Sequence, residues 1–284
     1  MRMHIKFWIL TLLLVLAARC YVYHDMNMIK AAVFVAYHKD YEIVENDVVI
    51  PIQAGRALHP KYGENLETKM IGDNTGDNIS EKNMQYCELT AMYWVWKNVR
   101  NLDVVGFMHY HRFFNNIGHD EICGADDKLC KLGLTQKQMS RLFSTYDIVI
   151  PIPYNMNMTG YEYYSQWHYR EDMDIAINYI RRNYPEMSAA VDEALFNTHY
   201  RYFANLMIMK REIFDEYAKW LFDILFAIEN DIGPKQDKIL SVEANPTVEY
   251  QQRAPGFLAE ILFDVWLAHN RKRFHVIELH TLTE

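Results

Sequence analysis

Unbroken apolar runs alternate along this chain with stretches in which apolar residues recur every three or four positions. Ala31-Ala32-Val33-Phe34-Val35-Ala36-Tyr37 is apolar throughout and stops at His38-Lys39-Asp40, the pattern of a strand buried on both faces of a parallel sheet. Val48-Val49-Ile50-Pro51-Ile52 is a shorter run, and Pro51, which lacks an N–H, puts it at an edge or a turn. Residues 59–78 are polar and glycine-punctuated and read as loop. From Lys82 the spacing turns helical, with Leu89, Met92, Tyr93 and Trp96 on one face and Ser80 or Asn78 as N-cap. A strand, Val104 to Met108, follows and ends in His109-Tyr110-His111-Arg112.

Farther along, Thr135 opens a helix through Phe143, and Asp147 to Pro151 reads as another buried strand. Two helices, Asp172–Asn183 and Pro185–Phe196, part at the Tyr184-Pro185 step. Tyr202–Met209 is strand-like, Glu212–Asn230 is a long amphipathic helix, and Gly233-Pro234 starts a polar loop through Asn245-Pro246. Pro255 opens a last helix to Asn270, and Phe274–Ile277 makes a final strand. Strands alternating with helices predict an α/β fold: a mostly parallel sheet with helices on both faces. No repeat or Gly/Ser/Pro-rich linker divides the chain, so one domain is expected from residue 28 to 284.

Composition sharpens this only a little. Half of the 284 residues are apolar and 14% are aromatic, which supplies a large core and excludes disorder as the main state. A net charge of −8, without a Lys/Arg run, argues against a nucleic acid partner. The cysteines Cys20, Cys87, Cys123 and Cys130 lack zinc-type spacing. Cys87 reads as a free thiol on a helical apolar face, and Cys123 and Cys130, in one loop, would pair only in an oxidising compartment. Residues 1–27 stand apart: Arg2 and Lys6 precede an apolar run, Phe7 to Ala18, too short for an ordinary membrane span. A secretion signal, a membrane anchor, or a start placed upstream of Met26 or Met28 each fits.

The order loop, helix, strand, polar cluster at the strand's carboxyl end is how open α/β sheets build ligand sites. Gly72-Asp73-Asn74-Thr75-Gly76-Asp77-Asn78 could offer backbone N–H groups and side-chain amides to a ligand, or simply bond itself into a tight turn. His109 and His111 fall on one side of an extended chain beside Arg112. Packed histidines, a phosphate contact with Arg112, or a transition-metal site remain open there. Asp172-Met173-Asp174 is an Asp-x-Asp, but acids at a helix start need no other reason.

Three motifs carry a resemblance: Gly72 through Asn98 with its Tyr86-Cys87-Glu88-Leu89-Thr90-Ala91 centre, His109-Tyr110 with Arg112, and Arg253-Ala254-Pro255-Gly256-Phe257-Leu258-Ala259-Glu260 followed by Val265-Trp266. In this order they resemble the bacterial domain-of-unknown-function family 4422, over roughly residues 29–280. The family pattern usually reads His-Tyr-Arg where this chain has His-Tyr-His-Arg, which weakens a two-histidine metal site. The resemblance implies a GT-A-like, Rossmann-like domain and a hexosyltransferase-like glycosyltransferase of capsule, exopolysaccharide or lipopolysaccharide assembly. The expected partners are a nucleotide-sugar donor and a glycan or lipid-linked glycan acceptor. The implied location is the cytoplasmic face of the cell membrane, because nucleotide sugars are cytosolic, and an anchor or early start then fits residues 1–27 better than export.

In that frame Glu260 and His109 are the catalytic candidates, Glu260 as the base. His38, Asp73, Asn74, Asp77, Asn78, Asn83, Glu88, His111, Arg112, His199 and Asn205 are the donor-binding candidates. No cofactor is required by the sequence, and a divalent cation is left open. Two rivals stand beside the transferase: a non-catalytic glycan-binding or scaffolding protein of the same fold, and a secreted glycan hydrolase, for which no carboxylate pair stands out.

Overall fold

The computed structural model describes residues 28–39, 41–59, 70–115, 134–233 and 247–283. The N-terminal segment, the Cys123–Cys130 loop and most of the loop after Gly233 lie outside them. No helix among the described residues is long and apolar enough to cross a membrane.

The first apolar run forms β1 (Ala31–Tyr37), buried along its whole length. It sits between β2 (Val49–Gln53) and β4 (Val104–His109), parallel to both, and β3 (Ile71–Gly72) extends the sheet beyond β2. Pro51 therefore lies inside the sheet, opposite Val35, and not at an edge. It is tolerated because β3 pairs only with Ile52 and Gln53, so the outer ladder begins past the proline. β4 turns at Tyr110-His111 into the short antiparallel β5 (Arg112–Phe114). On the far side of β4 come β9 (Met207–Lys210), the antiparallel member, then β6 (Ile148–Pro151) and β10 (Val276–Leu279). Between β6 and β9 in the chain, β7 (Tyr154–Asn155) and β8 (Tyr200–Arg201) form a separate two-stranded ribbon. β11 (Thr281–Thr283) pairs with β5.

The alternation of β1 side chains feeds two cores. Ala32 and Phe34 face a large one with the helices Leu89–Asn98, Arg211–Ile232 and Ala254–Asn270, while Val33, Val35 and Tyr37 face a smaller one with Met139 and Phe143 of the helix Gln136–Phe143. That last helix starts at Thr135, whose hydroxyl accepts from the Gln138 amide in a capping box. Gly106 lets β4 pack tightly in the sheet: a Cβ there would lie 2.8 Å from Ile208 and 3.1 Å from Val33.

Local breaks separate expectation from structure. The helix predicted from Lys82 is two pieces, Asn83–Tyr86 and Leu89–Asn98, divided at Cys87, which has φ 50°. Ser80 does not cap it, since its hydroxyl donates to Asp73 and accepts from Ala57 N–H. The predicted strand Tyr202–Met209 survives only as β9, because Ala204 and Asn205 both have positive φ, 69° and 49°. The final strand begins at Val276, not Phe274, and the helix Gly160–Trp167, capped by Thr159 and Glu162, was not foreseen.

Candidate active site

β2 and β3 continue the sheet outward from β1, whereas β9, β6 and β10 continue it outward from β4. The chain reverses its direction of travel between β1 and β4, and the crevice at their carboxyl ends is where open α/β sheets bind ligands. His38 follows β1 directly and His109 ends β4. Buried Tyr110 wedges between the rings, 5.1 Å from His38 and 4.3 Å from His111, with Tyr41 on its other side at 4.9 Å. It sets where the histidines stand.

The helix break at Cys87 delivers Glu88 into this crevice. Asn205 Nδ2 donates to Glu88 Oε1 at 2.9 Å, and His109 Nε2 lies 3.9 Å from the same oxygen. The left-handed pair Ala204-Asn205 supplies both backbone poles. The Ala204 carbonyl accepts from the His109 ring, and the Ala204 N–H donates to Glu260. Two successive non-glycine residues in this conformation cost on the order of 1 kcal/mol or more each, a strain that tends to collect at functional sites. Asn205 Oδ1 and His111 Nδ1 are buried without a hydrogen-bond partner, and such groups call for a ligand or water.

Charge in the crevice is lopsided. Lys39, Arg112 and Arg253 surround the three histidines, with Glu88 and Glu260 as the carboxylates. Burial, then Lys39, Arg253 and His109, holds the His38 pKa below its ordinary value. Burial, then Arg112, His109, Lys39 and His38, pushes His111 down to about 4, and burial and Arg112 lower His109 against the pull of Glu88. The histidines are thus neutral at pH 7, and a histidinium contact to phosphate gives way to the arginines and the lysine. Glu260 goes the other way: burial first and Glu88 second push it up to about 7, against Arg201, the Ala204 amide and Arg112. Arg253 is seated by its Nε–H, which donates to Cys87 Sγ at 2.9 Å, and by the rings of Tyr250 and Phe257, 5.6 and 5.5 Å away. Cys87 is a free thiol, pushed up to about 12 chiefly by burial, so it serves as a neutral seat and not a nucleophile.

The family model described as a domain of unknown function, DUF4422, matches residues 32–271, most of the chain. The chain belongs to the DUF4422 family. Among solved structures it is similar to the apo structure of the bifunctional glycosyltransferase WbbM, with 28% sequence identity and a TM-score of 0.74 over 89% of this chain. It spans 45% of that protein's length. No curated protein matches it. The mostly parallel sheet with helices around it, shared with a glycosyltransferase, is a single α/β domain of the GT-A-like kind.

In this DUF4422 chain the crevice gathers His38, Glu88, His109, His111, Arg112, Asn205 and Glu260. The loop after β3 starts from the same sheet edge, but its polar groups are spent on its own fold. Asp73 is fully buried and accepts from the backbone amides of Gly55 and Arg56, at 2.8 and 3.0 Å, and from Ser80. Asp77 accepts from Tyr93 at 3.0 Å, Asn78 closes on Gly76 and Ser80, and Asn83 donates to Cys87 O and Thr90. Asn74 is exposed on the turn. His199, also exposed, adjoins the β7–β8 ribbon, its carbonyl accepting from Met156 N–H. Asp172 is buried in the first turn of the helix Arg170–Asn183 and Asp174 accepts from Tyr161 at 2.8 Å. No group of three or more His, Cys, Asp or Glu that could hold a metal occurs among the described residues. Glu260 lies beyond the first turn of its helix, so the helix dipole does not explain it. Sequence reasoning missed Lys39, Ala204 and Arg253 as site residues. Arg253 was legible, because it opens the motif that contains Glu260.

Proposed function

We propose that this protein is a glycosyltransferase that moves a sugar from a nucleoside diphosphate donor onto a growing surface polysaccharide. The observation that carries the reading is a cation-rich crevice at the topological switch point of an acidic protein, with one half-buried carboxylate raised to about 7 beside it. Lys39, Arg112 and Arg253 suit a leaving diphosphate, whose developing charge they would stabilise. Glu260 suits the base. The acceptor oxygen bonds to the anomeric carbon, its proton passes to Glu260, and the bond from that carbon to the diphosphate oxygen breaks, the electron pair leaving with the diphosphate. A base with a pKa near 7 is balanced between being deprotonated and being strong enough to take the proton. Burial first, and then Glu88, held by Asn205, keep that pKa high, and the same Glu88 oxygen lies 3.9 Å from His109 Nε2. The likeness to WbbM, titled a bifunctional glycosyltransferase, supports the reaction class.

The test is a thermal-shift screen of nucleoside diphosphates and nucleotide sugars, followed by release of free nucleoside diphosphate from the best donor. Binding raises the unfolding midpoint and slow hydrolysis follows if the reading is right. A protein that binds glycans but no nucleotide, and releases none, is the non-catalytic alternative.

A further inference from the structure

A second cleft, of about 280 Å³, opens beside the charged crevice, lined by Arg112, Pro151, Tyr154, Phe203, Ala204 and Thr281 among others. Its walls come from the same sheet edge: Pro151 ends β6, Arg112 begins β5, and Ala204 precedes the antiparallel β9. Thr281 and Thr283 reach it because β11 leaves the β6 side of the sheet and pairs with β5. Ala204 is the shared wall, with its N–H on Glu260 and its carbonyl toward His109.

Resting on the transferase reading above, we infer that this cleft is the acceptor subsite and holds a neutral sugar ring at the end of a glycan. The lining has the two chemistries such a ring needs. Tyr154 and Phe203 meet edge to face with centroids 5.8 Å apart, and Tyr163 packs on Phe203 at 5.6 Å, which fixes an aromatic wall for the apolar C–H face. Tyr154 is 53% exposed, so it is available to a ligand without repacking the core. Thr281, Thr283 and the Arg112 guanidinium supply hydrogen bonds to hydroxyls. A mostly apolar wall with a few fixed polar groups, at the small end of ligand-pocket volumes, suits one ring and not an extended chain. A bound lipid tail would leave both threonine hydroxyls without work.

Octyl β-glycosides below their micelle concentration test this, because each carries a sugar ring and an alkyl chain. Saturation-transfer NMR on the full chain should show transfer to ring protons, weakened roughly three- to tenfold by Tyr154→Ala, the size of a lost aromatic contact, and weakened too by Thr283→Val. Both positions are exposed or nearly so, and nucleoside diphosphate binding, followed by thermal shift, should be unchanged in both variants. Transfer to the alkyl protons alone overturns the proposal in favour of a lipid. No transfer to the wild type, or ring transfer indifferent to both substitutions, overturns it outright. Loss of diphosphate binding in the wild type sinks the donor reading instead.

Discussion

Buried Asp73 and half-buried Glu260 are both carboxylates in the motifs, and their surroundings differ. Asp73 accepts three hydrogen bonds and ties the Gly55-Arg56 turn to Ser80. Asp73→Ala leaves those donors without a partner and should lower stability by about 2–4 kcal/mol, read by urea denaturation, with diphosphate affinity of the folded fraction unchanged. Glu260 has one backbone donor, and it is pushed up to about 7 by burial and Glu88. With Glu260 as the proposed base, turnover should rise as pH climbs through about 7, where its carboxyl loses the proton. Glu260→Gln should cut turnover by ~10²–10⁴ with donor affinity nearly unchanged. The stability sign follows separately. A carboxyl raised in the folded state binds more protons there than unfolded, so its contribution is present at low pH and is lost as pH rises from the ordinary carboxylate range through about 7. Unfolding curves of Glu260→Gln and wild type should thus diverge in the variant's favour across that window. Wild-type turnover in the variant would remove Glu260 from catalysis.

Elements show where sequence patterning succeeds and where it stops. β1, β4 and the helix Gln136–Phe143 were legible because each obeys one local rule: an unbroken apolar run, or a capping residue before a helical period. The pattern assigns β4 an interior place, and Gly106 measures how tight that place is. Gly106→Ala should destabilise by about 1–3 kcal/mol through overpacking against Ile208 and Val33, measurable by denaturation. What the pattern could not give was pairing and strain. β5 and β11 are three residues each, too short to show a period, and they take their meaning from pairing with each other across the chain. Cys87 and Ala204-Asn205 adopt left-handed backbone that a uniform helix or strand would forbid. Those two breaks bring Glu88, Asn205 and Glu260 together. The polar Gly72–Asn83 loop reads the other way: Asn78 bonds within its own turn, while Asp73 and Asp77 tie the loop to Gly55-Arg56 and to Tyr93, holding the scaffold.

At the scale of the molecule, a chain of net charge −8 gathers Lys39, Arg112 and Arg253 at one edge of its sheet. Acids at the end of a central strand could hold a divalent cation against a diphosphate. β4 ends instead in His109, and nitrogen ligands suit hard Mg²⁺ poorly. The three cations, Arg253 held by Cys87, could meet the same charge directly. Two consequences separate this arrangement from a cation-bridged one. Diphosphate affinity should fall as salt rises from about 0.05 to 0.5 M, because screening weakens partly exposed charges. Arg253→Ala should weaken it at low salt and flatten that dependence, with the Cys87→Ser chain, which only loosens the seat of Arg253, falling between. Turnover should persist in excess chelator. Abolition by chelator with recovery on Mg²⁺ alone would mean that the metal, and not the arginines, carries the leaving group, and Asp172 and Asp174 would then need testing despite their ordinary place at a helix start.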